Sequence, residues 1–347
     1  VIEVRAPDDM HVHLRQGPHL AEYARVTATV FPRALVMPNT LPPITSPGTL
    51  TEYRGRIESA APDFTPLMSF KILPGMIGEE IKALAEAGAV AGKLYPAGAT
   101  TNAEDGVADP QAIYHIFEAM RDAGLVLSVH AEDPEYPVLE REHAYLPVIR
   151  RIAGNFPGLR IVVEHLSTAE GVETVKELSA GVRVAAGGVA ATITVHHLMF
   201  TLEDLIGESI RPHLYCKPVV KTRNDRDALI EAACSENPAF FFGSDSAPHP
   251  RQKKECAEGA SGVFSSPVAM ELLAGVFETA GRLDRLEEFT SRFGADFYGL
   301  PLNRGKLVLD RQSCIAPASV GGATPLAAGW ELPWSIVSIQ SPSISTS

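Results

Sequence analysis

Cysteine is scarce in this chain: four residues in 347, namely Cys216, Cys234, Cys256 and Cys314, far apart and without a C-x-x-C pair. That excludes a disulfide scaffold and leaves reduced thiols in a cytosol-like compartment as the expectation. An excess of basic charge is also missing. Lys and Arg number 30 against 42 Asp and Glu, a formal charge of -12, and no basic run forms the stripe that nucleic acid requires, so no nucleic-acid partner is expected. A locally bound anion is still compatible with this balance, because net charge is screened within about 8–10 Å at physiological salt. No stretch of 18 apolar residues occurs, and no apolar core follows a basic region at the N-terminus, so neither a membrane span nor a signal peptide is expected. A cytoplasmic location is the expectation; because the first residue is Val rather than Met, a removed organellar transit segment is left open as the alternative.

What is present is ordinary globular composition, 45% hydrophobic and 21% charged, and enough length for one α/β barrel or two average domains. Short β-rich apolar runs recur near Asp9–Leu14, Ala34–Met37, Thr65–Ile72, Val90–Tyr95, Leu125–His130, Arg160–His165, Ala190–Val195 and Ala239–Ser244. Segments of helical periodicity lie between them, including Glu79–Ala87, Pro110–Ala123, and Thr168–Leu178 with Thr168 as its N-cap. Alternation of this kind predicts βα units with a parallel sheet: a (β/α)8 barrel over residues 1–340, or a doubly wound open sheet, which periodicity alone does not separate. Pro42–Pro43 and Ala185–Ala191 read as loops, and residues 341–347 as a frayed Ser-rich tail. Two loops are longer than a connection needs, Pro96–Asp109 and Ala247–Pro267, and both follow strands with polar ends, where a barrel builds its active site.

The chemistry gathers at strand ends. His11 and His13 stand two apart in Asp-Met-His-Val-His-Leu-Arg, and on a strand that spacing points both imidazoles to one face, which Arg15 continues. A His-x-His alone is a weak signal, equally well met by two hydrogen-bonded polar residues. Three further apolar runs, however, end in His130, in Glu-His165 and in Gly-Ser-Asp245. A barrel brings such ends together, and four His with one carboxylate suit zinc. Five protein ligands are too many for one catalytic zinc that keeps an open position, so two ions are expected. Lys93 sits on an otherwise apolar run. It is either paired with a carboxylate or held neutral by burial and nearby metal, as an amine able to capture carbon dioxide as a bridging carbamate. The remaining His receive ordinary roles: His196 and His197 are adjacent and on a strand would point oppositely, His213 is similar, and His19, His115 and His143 fall in helices or surface loops. Glu132, two beyond His130, is either an acceptor that orients a ligand or a solvated carboxylate.

Seven segments together resemble the dihydroorotases of the amidohydrolase superfamily, in particular the monofunctional type. They are Pro-Asp-Asp-Met-His-Val-His-Leu-Arg at 7–15, Val-Met-Pro-Asn at 36–39, Lys-Leu-Tyr-Pro-Ala-Gly-Ala-Thr-Thr-Asn at 93–102, Val-Val-Glu-His at 162–165, Arg-Pro-His-Leu-Tyr-Cys-Lys-Pro at 211–218, Gly-Ser-Asp-Ser-Ala-Pro-His at 243–249, and Phe-Tyr-Gly-Leu-Pro at 297–301. The resemblance implies a TIM barrel that reversibly hydrolyses the ring amide of dihydroorotate to N-carbamoyl-L-aspartate, in de novo synthesis of pyrimidines (UMP). It implies that His11, His13 and Asp245 bind the more buried of two zinc ions, that His130 and His165 bind the other, and that carboxylated Lys93 and a hydroxide bridge them, with Asp245 as the catalytic base. It further implies that Arg15, Asn39 and His249 hold the substrate carboxylate, that His130, the backbone at Lys217 and the segment at Ser261 touch substrate, and that Thr100 and Thr101 ride on a loop closing over it. A small molecule is thus the expected partner, and a homodimer the assembly considered. A hydantoinase or allantoinase would use the same centre on another ring, but Arg15, Asn39 and His249 suit a ring that carries a carboxylate.

Overall fold

The computed structural model describes residues 1–180 and 187–340; the Ser-rich tail and the start of the Ala185–Ala191 loop lie outside them. After a short strand β1 (Ile2–Arg5), eight parallel strands follow in order round one sheet: β2 (Asp8–Val12), β3 (Arg33–Val36), β4 (Thr65–Lys71), β5 (Ala89–Leu94), β6 (Val126–Val129), β7 (Arg160–Val163), β8 (Gly188–Ile193) and β9 (Phe240–Phe242). Their residues are buried on both faces, as in Ala-Leu-Val of β3 and Phe-Phe-Phe of β9, which is why the strands read as continuous apolar runs rather than alternating ones. Helices such as Pro47–Ala60, Gly78–Glu86 and Ala169–Ser179 return the chain between strands. Their starts follow local chemistry: Ser46 Oγ accepts from the Thr49 amide at 3.3 Å ahead of Pro47, and Thr168 Oγ1 from the Gly171 amide at 3.0 Å, each supplying one of the partners a helix N-terminus lacks.

Closure of the ring decides between barrel and open sheet. Val12 bridges Ser246 in parallel, and the Asp245 amide donates to the His11 carbonyl at 2.8 Å. The Asp9 carboxylate takes the Ser244 amide at 2.8 Å and the Ser244 hydroxyl at 2.5 Å, sewing β2 to the end of β9. Gly243 permits this approach, since a Cβ there would lie 2.9 Å from His11 Cβ and 2.8 Å from Thr192 Cγ2. At the start of β2 and β3 Arg33 grips Asp8 with a two-pronged ion pair at 2.8 and 2.6 Å, the fork-to-carboxylate geometry that makes a buried charge tolerable. Downstream, β10 (Lys306–Asp310) lies between β1 and β13 (Ser335–Gln340) in a small antiparallel sheet, and β11 (Cys314–Ile315) pairs with β12 (Glu331–Leu332).

The eight expected strands are all found, but every one of them ends one or two residues early. His13, His130, His165 and Asp245 lie just past their strands, and His165 and Asp245 have φ of +41° and +44°. Backbone in that left-handed region leaves the ladder and re-aims a side chain. Arg15 does not continue the β2 face: β2 stops at Val12, and Arg15 turns out at φ +59°, its carbonyl held by the Tyr53 hydroxyl at 2.6 Å. The Gly/Ala stretch is not loop throughout, because β8 begins at Gly188. Nor are His196 and His197 on a strand. They lie on a helical turn, Val195–Met199, with ring centroids 4.7 Å apart.

Candidate metal centre

At the C-terminal mouth of the barrel, a chamber is lined by His11, His13, Lys93, His130, His165 and Asp245, with Arg15, Asn39, Thr100, Thr101, Lys217 and Ser261 around them. The six proposed ligands come from β2, β5 and the ends of β6, β7 and β9, and all are buried. Asp245 Oδ1 stands 3.2 Å from His11 Nε2 and 3.1 Å from His13 Nε2, and the two imidazole nitrogens are 3.3 Å apart. On the opposite wall His130 Nδ1 and His165 Nε2 are 3.1 Å apart.

The hydrogen bonds at the far side of each ring explain these close approaches. Glu164 Oε2 accepts from His11 Nδ1 at 2.7 Å, and Glu132 Oε2 accepts from His130 Nε2 at 2.8 Å. Each acceptor fixes the proton on the outer nitrogen and leaves a lone pair directed into the chamber, the arrangement that metal-ligating imidazoles use. Burial lowers His13 to about 4, and lowers His130 and His165 as well, so these rings are neutral, as ligands must be. For His11 burial pulls downward, but the charge of Glu164 and the contact with Asp245 outweigh it and raise the pKa. Asp245 shows the mirror balance: burial would raise its carboxyl, yet hydrogen bonds and charges from His11, His13 and His165 hold it well below the usual carboxylate range.

Lys93 completes the wall. It is fully buried and, among the described residues, its Nζ has no hydrogen-bond partner, so the carboxylate pairing considered for it is not made. Burial lowers its pKa to about 8, with Glu164 and Asp245 partly opposing. An amine in that state is accessible in its neutral, nucleophilic form near physiological pH. The neutral imidazoles of His13, His130 and His165, the His11 ring beside them, one ionised carboxylate and an unpartnered buried amine form an N/O donor set that fits divalent zinc and would be costly without it.

Around this centre the substrate-side residues fall into two groups. Arg15 donates from Nε to the Pro248 carbonyl at 3.1 Å and contacts His249 Nε2 through Nη2 at 2.8 Å; two of its five N–H donors are thereby used. His249 is not on the chamber wall. It stands behind Arg15, facing an outer hollow, with Nε2 2.9 Å from the Ser261 carbonyl, and burial together with Arg15 lowers it to about 3. Asn39 meets the loop after β5, its amide 3.4 Å from the Thr101 carbonyl and its carbonyl 2.9 Å from the Asn102 amide nitrogen. Thr101 Oγ1 reaches Ser261 Oγ at 3.1 Å, so the two long loops close on each other over the chamber.

Sequence reasoning left Glu164 and Tyr95 unassigned. Glu164 also accepts from Thr192 Oγ1 at 2.6 Å; its one signal was a carboxylate at the end of an apolar strand beside a His. Tyr95, two beyond Lys93, lines the chamber with its hydroxyl buried and unpartnered, and burial keeps that phenol protonated. Glu142 was missed as well: its buried carboxylate gathers the amides of Ser167 and Thr168 at 2.8 and 3.0 Å, anchoring the turn that follows His165. A second buried group, His196, His197 and Cys216, brings one ligand atom from each within 4.8 Å. Both ring nitrogens of His197 are already engaged, with Thr194 Oγ1 at 2.8 Å and the Pro218 carbonyl at 3.1 Å, in keeping with a packing and hydrogen-bonding role. Elsewhere His213 meets Glu255 at 2.9 Å and His115 the Met76 carbonyl at 3.0 Å.

Residues 72–186 match the family model described as Amidohydrolase. The chain is 42% identical to a dihydroorotase of Marinobacter nauticus over 342 residues, 96% of this chain and 98% of that one. Among solved structures, a dihydroorotase from Saccharomyces cerevisiae in complex with 5-fluoroorotic acid superposes with a TM-score of 0.93 at 36% identity, over 99% of this chain and 100% of the other. A dihydroorotase from Campylobacter jejuni gives 0.87 at 34%, over 97% of each.

Proposed function

This chain belongs to the dihydroorotase family of the amidohydrolases, and on that premise we propose that it interconverts dihydroorotate and N-carbamoyl-L-aspartate, a ring-forming step of pyrimidine synthesis, at a two-zinc centre. The observation that carries this reading is the convergence of four buried imidazoles and Asp245 on the unpartnered amine of Lys93. His11, His13 and Asp245 would hold one ion, and His130 and His165 the other. Lys93, once its neutral amine has added carbon dioxide and lost a proton, would offer carbamate oxygens to both. When bound, the two ions supply Lewis acidity and bring the pKa of water toward about 7.

The chain's own residues do the rest. Asp245 is held ionised, and its Oδ2, outside the contacts that Oδ1 makes with the two histidines, takes the proton of the attacking water and returns it to the ring nitrogen as the amide bond breaks. In the closing direction the same oxygen removes the proton from the ureido nitrogen. Arg15 offers its remaining donors to the ring carboxylate and so sets which carbonyl faces the reacting water. Asn39 supports the loop that carries Thr100 and Thr101, and that loop excludes bulk water, which strengthens every charge interaction inside. We place the reaction in the cytoplasm, in keeping with four free thiols. The test is direct: zinc-loaded protein mixed with dihydroorotate should produce N-carbamoyl-aspartate, and mixed with N-carbamoyl-aspartate should produce the ring. Metal-replete protein that does neither, while opening a neutral hydantoin ring, would overturn the assignment.

A further inference from the structure

Lys71 ends β4, in register with Lys93 on β5, and is 2% exposed. A buried ammonium is costly unless its partners replace water. Among the described residues its hydrogen bonds are two, to the Asn102 carbonyl at 2.7 Å and to the Asp105 carboxylate. Both partners belong to the tip of the loop that carries Thr100 and Thr101. The base of that loop is fixed separately: the Val107 amide donates to the Tyr95 carbonyl at 2.8 Å, the Ala97 amide to the Val107 carbonyl at 3.2 Å, and Pro96 bridges Val107. The tip is therefore a cantilever on a clamped base. Asn102 stands at φ +56°, a left-handed conformation that Asn tolerates better than most residues. Its side-chain amide bonds Asn39 while its carbonyl meets Lys71.

We infer that Lys71 and Asp105 form an electrostatic latch that holds the 98–105 tip over the chamber, Lys71 acting as a positioning residue for Thr100 and Thr101. Moving the tip away strands the Lys71 charge in its buried position, whereas Asp105, whose side chain is 54% exposed, loses little. The bias toward closure thus resides in the lysine. The kinetic part of the inference rests on the proposed function; the latch itself does not. Because an apparent affinity is reduced by the fraction of protein in the competent state, weakening the latch should raise KM more than it lowers kcat.

The experiment compares hydrogen–deuterium exchange over residues 96–109 in zinc-loaded protein without substrate, for the parent, Asp105→Asn and Lys71→Met, followed by steady-state kinetics on dihydroorotate. Asp105→Asn is a surface change that leaves the fold intact, and Asp105→Glu serves as the conservative rescue. Exchange of the tip amides should quicken about two- to fivefold in Asp105→Asn, the range for a part-exposed charge pair, with KM rising by a similar factor and both returning toward the parent in Asp105→Glu. Lys71→Met should reproduce the exchange change at an unchanged melting temperature. Tip exchange unaltered in Asp105→Asn overturns the latch; faster exchange with KM unmoved overturns the positioning role. A parent protein that turns over no dihydroorotate defeats the functional reading instead, and the exchange comparison still decides the latch.

Discussion

Replacing Glu164 by Gln keeps the side chain's volume and removes its charge. In the structure Glu164 Oε2 accepts from His11 Nδ1 at 2.7 Å and from Thr192 Oγ1 at 2.6 Å, with the carboxylate fully out of water. A Gln oxygen at the same place still accepts from both, so the tautomer of His11 survives and what disappears is the charge assistance. A hydrogen bond to an ionised group contributes about 1.5–3 kcal/mol against about 0.5–1.5 for a neutral one, a difference of about 1–1.5 kcal/mol in how firmly the Nε2 lone pair is offered. Converted to binding, that is about five- to twelvefold weaker metal affinity, which overlaps the lower part of the 10–100-fold range for groups that orient metal-ligating histidines. Competition of the purified protein with a chromophoric chelator reads this number directly. Circular dichroism of the metal-free variant checks that the barrel is intact. Metal affinity within twofold of the parent would mean that Glu164 serves only to pack β7 against β8, and the reasoning from the outer ring nitrogens to the metal would be wrong.

Lys93→Ala should lower metal occupancy and activity together, with short-chain carboxylic acids restoring part of both; an active, metal-replete variant would refute the carbamate bridge. Asp245→Asn should retain the fold and some metal while losing about 10²–10⁴-fold in turnover rate, and a variant within a few-fold of the parent would exclude Asp245 as the proton carrier. Arg15→Met should cost about 1.5–3 kcal/mol in kcat/KM on dihydroorotate, with metal content unchanged and a much smaller loss on an analogue lacking the carboxylate. Equal losses on the two substrates would remove Arg15 from carboxylate recognition.

The convergence of the His and Asp side chains and the strand order could be read before any coordinates, because both depend on residue type at strand ends. Apolar runs closing in His130, His165 and Asp245 announce positions that the sheet's own geometry must bring together. Less legible was how those residues are aimed. Arg15, His165 and Asp245 reach the chamber through left-handed backbone, which no alternation pattern encodes in residues other than Gly, and so the strands were drawn too long. Partners distant in sequence were also hidden. Only the fold shows that Arg33 takes Asp8 and Ser244 takes Asp9. Glu164, Glu142 and the Lys71–Asp105 pair are buried or long-range contacts of ordinary residue types, without a local signature. The outer sheet of β1, β10 and β13 joins the two ends of the chain; neither end carries enough apolar periodicity to announce it alone.

The account turns on two metal ions acting with one ionised carboxylate on a ring amide. Metal-free protein should therefore be titrated with zinc in the presence of bicarbonate while dihydroorotate hydrolysis and bound zinc are followed in the same samples. The expected curve shows little activity through the first equivalent and full activity only as the second is bound, with the Lys93→Ala protein failing to climb. Full activity at one zinc per chain, or activity that persists in the metal-free protein, would contradict it.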